Sequence, residues 1–372
     1  MGLSRRGFLA SSAVLGAPAL QAAPAASKLS YRMLGKTGMK VTTVGFGCMV
    51  TSDGSVIERA ADMGINYFDT ARVYSQGNNE RMVGAALGSR RKNIFLSSKS
   101  KGATAAEAFK DLDTSLKELN TDHLDIWYLH AKDTADQVTD ELLDAQAQAK
   151  KAGKIRFAGV SLHNGHTEVI QAVLAKKKTD VILVTYNFAM NDGVMAPLLK
   201  QVSDAGIGVV AMKVMAGRFK MDRSYDYDKA KAVMQKPGAP LSALKWSLRN
   251  PYVHTAIPST TDFEQLEENF RAMAEPFADR DGQLVAAQLD RIRPLYCRMC
   301  GTCKGVCPQG AVVSDTLRCL SYAEGYGQFS LARSEYAALP QVKCSDCAGC
   351  AIRCPNGVRV QERMIRAEEL FA

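Results

Sequence analysis

No run of 18 or more apolar residues occurs in the 372-residue chain, so no helix that spans a membrane is expected. Lys and Arg outnumber Asp and Glu by 47 to 38, yet they are spread along the sequence. The net charge of +9 therefore forms no basic stripe of the kind that tracks a phosphate backbone, and no nucleic-acid partner is expected. No cysteine lies between Cys48 and Cys297, while nine of the ten fall between 297 and 354. A disulfide framework would spread its cysteines, and this crowding points to metal instead. The turn Gly45-Phe46-Gly47-Cys48-Met49-Val50 lacks the last glycine of the dinucleotide fingerprint, which argues against a doubly wound open sheet. What remains is a chain with 47% apolar residues, enough for one large core and a small second unit.

The amino terminus reads as a targeting segment. Ser4-Arg5-Arg6-Gly7-Phe8-Leu9 precedes an Ala-rich apolar stretch to about Leu20, and Ala23-Pro24-Ala25 supplies small residues at the end. The paired arginines resemble a twin-arginine signal, the route that exports folded proteins, so a periplasmic or otherwise exported protein is expected. The stretch is too short for a stable anchor, and removal of residues 1–26 would leave a net charge of +7.

Past this segment, two short strand-like runs flank the turn residues Gly35-Lys36-Thr37-Gly38 and predict a hairpin. Val41 to Phe46 reads as the first core strand, and further strands are expected at 65–69, 93–99, 124–130, 155–161, 181–187, 207–213 and 254–258. Helices are expected between them. Thr104-x-x-Glu107 and Thr261-x-x-Glu264 read as capping boxes, Gly153 as a stop after Asp140 to Ala152, and Pro240 as a first-turn residue. Eight strand–helix units over about 240 residues predict an α/β fold, a closed (β/α)8 TIM barrel, whose catalytic groups sit at the carboxyl ends of the strands.

Four such groups stand out. Asp69 ends the strand Ile65 to Phe68, Tyr74 follows in a polar loop, Lys99 ends the next strand, and His130 ends the one after. Singly, these residue types are usually an ion pair, a packed ring and a core histidine. Together they form acid–base machinery. A free phenol has a pKa near 10, and a neighbouring ammonium is expected to lower it. Lys99 can do so, Asp69 can hold Lys99 charged, and His130 can donate to a carbonyl oxygen. Such a set suits carbonyl reduction or alcohol oxidation, with hydride from a cofactor.

The motifs F-D-T-A-x-x-Y, S-S-K, W-Y-L-H, G-V-S, Y-N and the late I-P-S with E-E-N resemble the aldo-keto reductase family over roughly Leu29 to Phe270. The resemblance implies Tyr74 as acid, Lys99 and Asp69 as its tuning pair, and His130 as orienter. It also implies a nicotinamide cofactor, NADP or NAD, across the barrel mouth, with Gly47, Met49, Ser161, Asn187, Met212, Lys213, Ser259, Glu268 and Asn269 as candidate contacts. The pattern departs where Leu162, Leu183 and Met212 replace the family's Asn, Gln and stacking Tyr, and where basic partners of a 2′-phosphate are absent near Ser259 to Gln265.

After Arg293-Pro294 the composition changes. Cys297-x2-Cys300-x2-Cys303-x3-Cys307-Pro308 and Cys344-x2-Cys347-x2-Cys350-x3-Cys354-Pro355 each match the run that holds a [4Fe–4S] cluster. Paired zinc sites would instead show separated C-x2-C pairs. The tail resembles two-cluster bacterial ferredoxins. That implies crossed ligation, with Cys297, Cys300, Cys303 and Cys354 on one cluster and Cys344, Cys347, Cys350 and Cys307 on the other. The segment Pro308 to Lys343 is expected to be partly helical, and Cys48 and Cys319 to be buried structural thiols.

The domain reading is a signal over 1–26, a barrel over 27–292 and a two-cluster ferredoxin-like domain over 293–372. The expected function is an exported oxidoreductase acting on a small carbonyl or alcohol, with clusters relaying electrons, in turn, to or from a redox partner protein. The rival reading is an electron-transfer protein whose barrel is an idle docking body.

Overall fold

Tyr31–Met33 (β1) and Lys40–Thr42 (β2) pair antiparallel, Tyr31 opposite Thr42, around the turn at Gly35 and Gly38. In this computed structural model, residues 28–190, 193–216 and 238–371 are described. The expected twin-arginine segment lies outside them. The hairpin seals one end of the main sheet. Leu34, Met39 and Val41 are fully buried among Tyr67, Ile126, Tyr128, Leu183 and Val210, and the Lys36 N–H donates to the Gly206 carbonyl at 2.8 Å.

Val41 to Phe46 is not one strand, as the apolar run suggested. The Thr43 N–H donates to the Ser30 carbonyl and the Thr42 N–H to Asn66 Oδ1, so the chain changes partners before Phe46–Gly47 (β3) joins the main sheet. The rest follow in parallel register: Tyr67–Asp69 (β4), Phe95–Ser100 (β5), Leu124–Leu129 (β6), Ile155–Leu162 (β7), Val181–Thr185 (β8), Gly208–Met212 (β9) and Thr255–Ala256 (β10). Parallel bridges Val44–Ala256 and Gly47–Ser259 join the first strand to the last and close the barrel. Gly47 is required there, since a Cβ would stand 2.9 Å from the Ile257 carbonyl oxygen.

The helices follow the sequence cues with one shift. Ala105–Glu118 (α1) carries the expected capping box of Thr104 and Glu107. Asp140–Lys151 (α2) stops before Gly153, whose φ is +73°, and Ala239–Leu248 (α3) has Pro240 in its first turn. The helix Phe263–Arg271 (α4) is capped by Asp262 rather than Thr261, because the Asp262 carboxylate accepts from the Gln265 N–H at 2.8 Å.

The final barrel helix Asp279–Ile292 (α5) leads into the tail. Val313–Leu320 (α6) runs into a π-turn at Ser321–Gly325, then Phe329–Ala337 (α7) and Val360–Phe371 (α8) follow. Among the described residues no strand forms after Ala256, so the cysteine runs are carried on helices and loops rather than on a small sheet. Val313, Leu317, Leu320, Ala332, Val360, Met364 and Phe371 build a core separate from that of the barrel, and Met49 of the barrel packs against it.

Candidate active site

The carboxyl ends of β4, β5 and β6 bring Asp69, Lys99 and His130 together, with Tyr74 on the loop after β4. Lys99 Nζ donates to Asp69 Oδ2 at 2.5 Å, to the Thr70 carbonyl at 2.6 Å and to the Tyr74 hydroxyl at 3.3 Å. The Tyr74 and His130 rings meet edge to face, 6.0 Å between centroids. The Asp69 carboxylate also accepts from Ser97 Oγ at 2.7 Å, and Ser97 accepts from the Tyr67 hydroxyl, which bonds Tyr128. A polar thread thus runs up the barrel axis to the ion pair and fixes it.

Burial decides the electrostatics. It pushes Asp69 up and Lys99 down, each partly offset by its partner. Tyr74 is raised well above its ordinary value by burial, then by the Asp69 and Cys48 charges. This corrects the expected lowering by Lys99, whose charge is engaged by Asp69. The phenol stays protonated and is a proton donor. His130 is held well below its ordinary value by burial and the Lys99 charge, so its imidazole is neutral. Its Nδ1 is buried without a hydrogen-bond partner.

Two supports were not foreseen. Glu80 is fully buried, pairs with Arg72 and accepts from Ser98 Oγ at 2.5 Å, which anchors the loop that carries Tyr74. The Arg72 guanidinium occupies the space beside Gly77, where φ is +89° and no side chain would fit. The one sequence signal is a lone acid, Glu80, third residue of the helix Asn78–Leu87 after the amides Asn78 and Asn79.

Asp69, Tyr74 and His130 open into a cavity of about 270 Å³, with Lys99 buried behind them. Of the candidate cofactor contacts, Gly47, Met49, Met212, Lys213, Ser259, Glu268 and Asn269 line it. Ser161 and Asn187 do not. Ser161 Oγ accepts from the Ala131 N–H at 2.9 Å. Asn187 donates to the Lys213 carbonyl at 3.0 Å and to the Tyr296 hydroxyl at 2.8 Å, and its Oδ1 accepts from the Ala189 N–H. The tail forms one wall of this cavity: Arg318, Tyr322, Tyr326, Leu331 and Glu335 line it. Arg318 pairs with Asp133 at 2.5 Å and Lys101 with Glu335.

The eight run cysteines form no disulfides. Cys297 senses the charges of Cys303, Cys300 and Cys354, and Cys344 those of Cys347, Cys307 and Cys350, so the thiols fall into two sets, each drawing one member from the other run. Burial pushes Cys297 up to about 12 and Cys344 up to about 11. Among the described residues no three of His, Cys, Asp and Glu converge tightly enough to hold a single metal ion. Cys48 and Cys319 are fully buried, and burial raises both.

The sequence profile of the Aldo/keto reductase family matches residues 51–289, most of the chain. The chain belongs to the aldo/keto reductase family. It is an oxidoreductase by that membership. Among curated relatives, the oxidoreductase YqkF of Bacillus subtilis is 29% identical over 283 residues, 65% of this chain and 90% of its own. An aldo-keto reductase of Bacillus halodurans in its holo form superposes with a TM-score of 0.58 at 27% identity, covering 70% of this chain and 96% of that one. One from Klebsiella pneumoniae, solved with NADP and acetate, gives 0.54 at 25% identity, covering 69% and 93%. The barrel is the shared part.

Proposed function

We propose that this aldo/keto reductase is exported by the twin-arginine route and interconverts a small carbonyl compound and its alcohol. NADP or NAD carries the hydride, and two [4Fe–4S] clusters on the tail exchange electrons with a redox partner protein. One observation carries the reading: the Tyr74 hydroxyl lies 3.3 Å from Lys99 Nζ in a cavity that His130 also lines.

A substrate carbonyl would accept hydrogen bonds from Tyr74 and from a neutral His130 N–H. Tyr74 donates its proton to the oxygen as hydride reaches the carbon. The phenolate left behind lies beside the Lys99 ammonium, which Asp69 holds in place. The cofactor supplies the hydride.

The Klebsiella relative supports NADP. Ser259, Glu268 and Asn269 on the cavity rim are offered as nucleotide contacts, while two other candidate cofactor contacts are engaged within the protein: Ser161 by Ala131, Asn187 by Tyr296. Each hydrogen bond forgone is worth about 1 kcal/mol, so the nicotinamide is held more loosely than in a site with those partners free. The cysteine spacing and the division of the thiols into two sets support the cluster reading. Their sulfurs receive N–H groups, Met299 on Cys297 and Asn356 on Cys300, and such bonds tune a cluster's potential. The clusters would supply one-electron storage.

The test is Tyr74→Phe in anaerobically purified protein. Turnover of an aldehyde should fall by roughly 10²- to 10⁴-fold with iron content unchanged. Undiminished turnover would make the barrel an idle docking body.

A further inference from the structure

We propose that the substrate is a monoanion, a carbonyl or alcohol compound bearing a carboxylate, and that its acid group sits on the Lys213 ammonium beneath the Tyr322 ring. The proposal rests on the redox reading above and adds the substrate class to it. The resemblance gave Lys213 to the cofactor, and its surroundings point elsewhere.

Lys213 follows β9 and lines the cavity, with its backbone at φ +55°, a conformation that non-glycine residues adopt rarely. Its Nζ is buried with no hydrogen-bond partner and lies 5.0 Å from the centre of the Tyr322 ring. A buried ammonium without an acceptor is costly. The other cations lining the cavity are paired: Lys101 with Glu335, and Arg318 with Asp133 and Asp315. Among the described lining cations, then, Lys213 alone lacks a carboxylate partner, a place that a ligand's acid group would fill. The His163 ring stands 6.4 Å from that of His130, and each has its Nδ1 buried and unpartnered. A small molecule with its carbonyl at Tyr74 and His130 would find further donors toward Lys213.

Position favours the substrate over the nucleotide. Lys213 Nζ lies against the ring of Tyr322, on the tail, and the charges that act on it most are those of Arg318, Asp133, Cys297 and Cys319, on the tail and on the loop after β6. Burial and the Arg318 charge bring Lys213 down to about 7, and an arriving carboxylate would raise it again. Tyr322 covers Lys213 and lines the same cavity as Tyr74, so the tail ring belongs to the wall that the acid anchor and the proton donor share. Specificity for the anion is thereby set in part by the tail.

The test compares dissociation constants of 4-carboxybenzaldehyde and its uncharged methyl ester in the anaerobically purified holoenzyme. The acid should bind roughly tenfold or more tightly than the ester. The ratio should fall to about one in Lys213→Met, a change that removes an unpaired buried charge and so should leave the fold intact. It should shrink in Tyr322→Leu, which keeps the ammonium and removes its cover. Equal binding of acid and ester by the unaltered protein overturns the proposal. So does a ratio that survives Lys213→Met, whether NADPH affinity falls instead, assigning the lysine to the nucleotide, or the cluster midpoint potential shifts instead, assigning it to the clusters. Tyr74→Phe separates the two readings. Retained acid preference in a variant without turnover supports the anion site, while retained turnover overturns the redox reading and leaves the acid-to-ester ratio to judge this one.

Discussion

Arg318, on the tail helix, donates to Asp133, on the loop after β6, at 2.5 Å, and both side chains are largely buried. The other oxygen of Asp133 accepts from the backbone N–H groups of His163 and Asn164, so the same carboxylate fixes the loop after β7. One node therefore ties the tail to two of the loops that shape the cavity. Arg318→Met should cost about 3 kcal/mol, the usual consequence of stranding one member of a buried pair. Urea unfolding should show the loss. Proteolysis at the Gly325–Gly327 turn should also speed up, because the tail has lost a buried tie to the barrel.

Two buried imidazoles make stability fall in acid. Burial holds His130 well below its ordinary value, aided by Lys99, Lys101, Arg318 and Lys132, and does the same to His163, aided by Lys213, Arg318, His130 and Lys101. As pH drops below about 6.5 the unfolded chain takes up protons that the folded one refuses, so the contribution present above that pH is lost. Each histidine adds a slope of about 1.4 kcal/mol per pH unit in that window. Urea titrations between pH 7 and 5 should therefore show a steep loss for the parent protein and a visibly shallower one for a His130→Gln, His163→Gln double variant.

The strand ends that carry the tetrad were readable because each apolar strand stops at a charged or polar residue, and a barrel puts such ends side by side. The hairpin was readable from its two glycines. The cap of α4 was misread by one residue, since Thr261 and Asp262 are both good caps and only geometry shows that the carboxylate reaches the Gln265 N–H. The bond between Asn187 and Tyr296, 109 residues apart, has no local signature, and neither does the face that α6 turns toward the barrel. The sign of the Tyr74 shift depended on how deeply the ring is buried, which periodicity does not report.

That sign has a kinetic consequence. A phenol lowered by Lys99 would ionise in mild alkali and lose its capacity to donate a proton. With Tyr74 raised by burial and by Asp69, aldehyde reduction should show no alkaline fall attributable to this group up to about pH 10. The measurement is kcat for reduction against pH with saturating cofactor. Lys99→Met should lower kcat through the whole range rather than move a limb of the profile, because the ammonium supports the phenolate formed after transfer and positions the ring through its 3.3 Å contact.

Under the proposed iron–sulfur reading, the two thiol sets predict which cysteine belongs to which cluster. Cys354 lies in the charge field of Cys297 and Cys303, and Cys307 in that of Cys344. If ligation follows these neighbours, Cys354→Ser and Cys300→Ser perturb the same cluster, and Cys307→Ser and Cys347→Ser perturb the other. Paramagnetic resonance of the reduced protein should then sort the four variants into those two pairs. Sorting by run, with Cys307 grouped with Cys300 and Cys354 with Cys347, would show uncrossed ligation. The pairing bears on electron flow. Cys297 acts on Lys213 through its charge and packs with Met49 against the tail core, so the cluster on the Cys297 set would be the one beside the cavity wall. Loss of that cluster should uncouple an external electron donor from substrate reduction, while loss of the other should slow delivery from the donor.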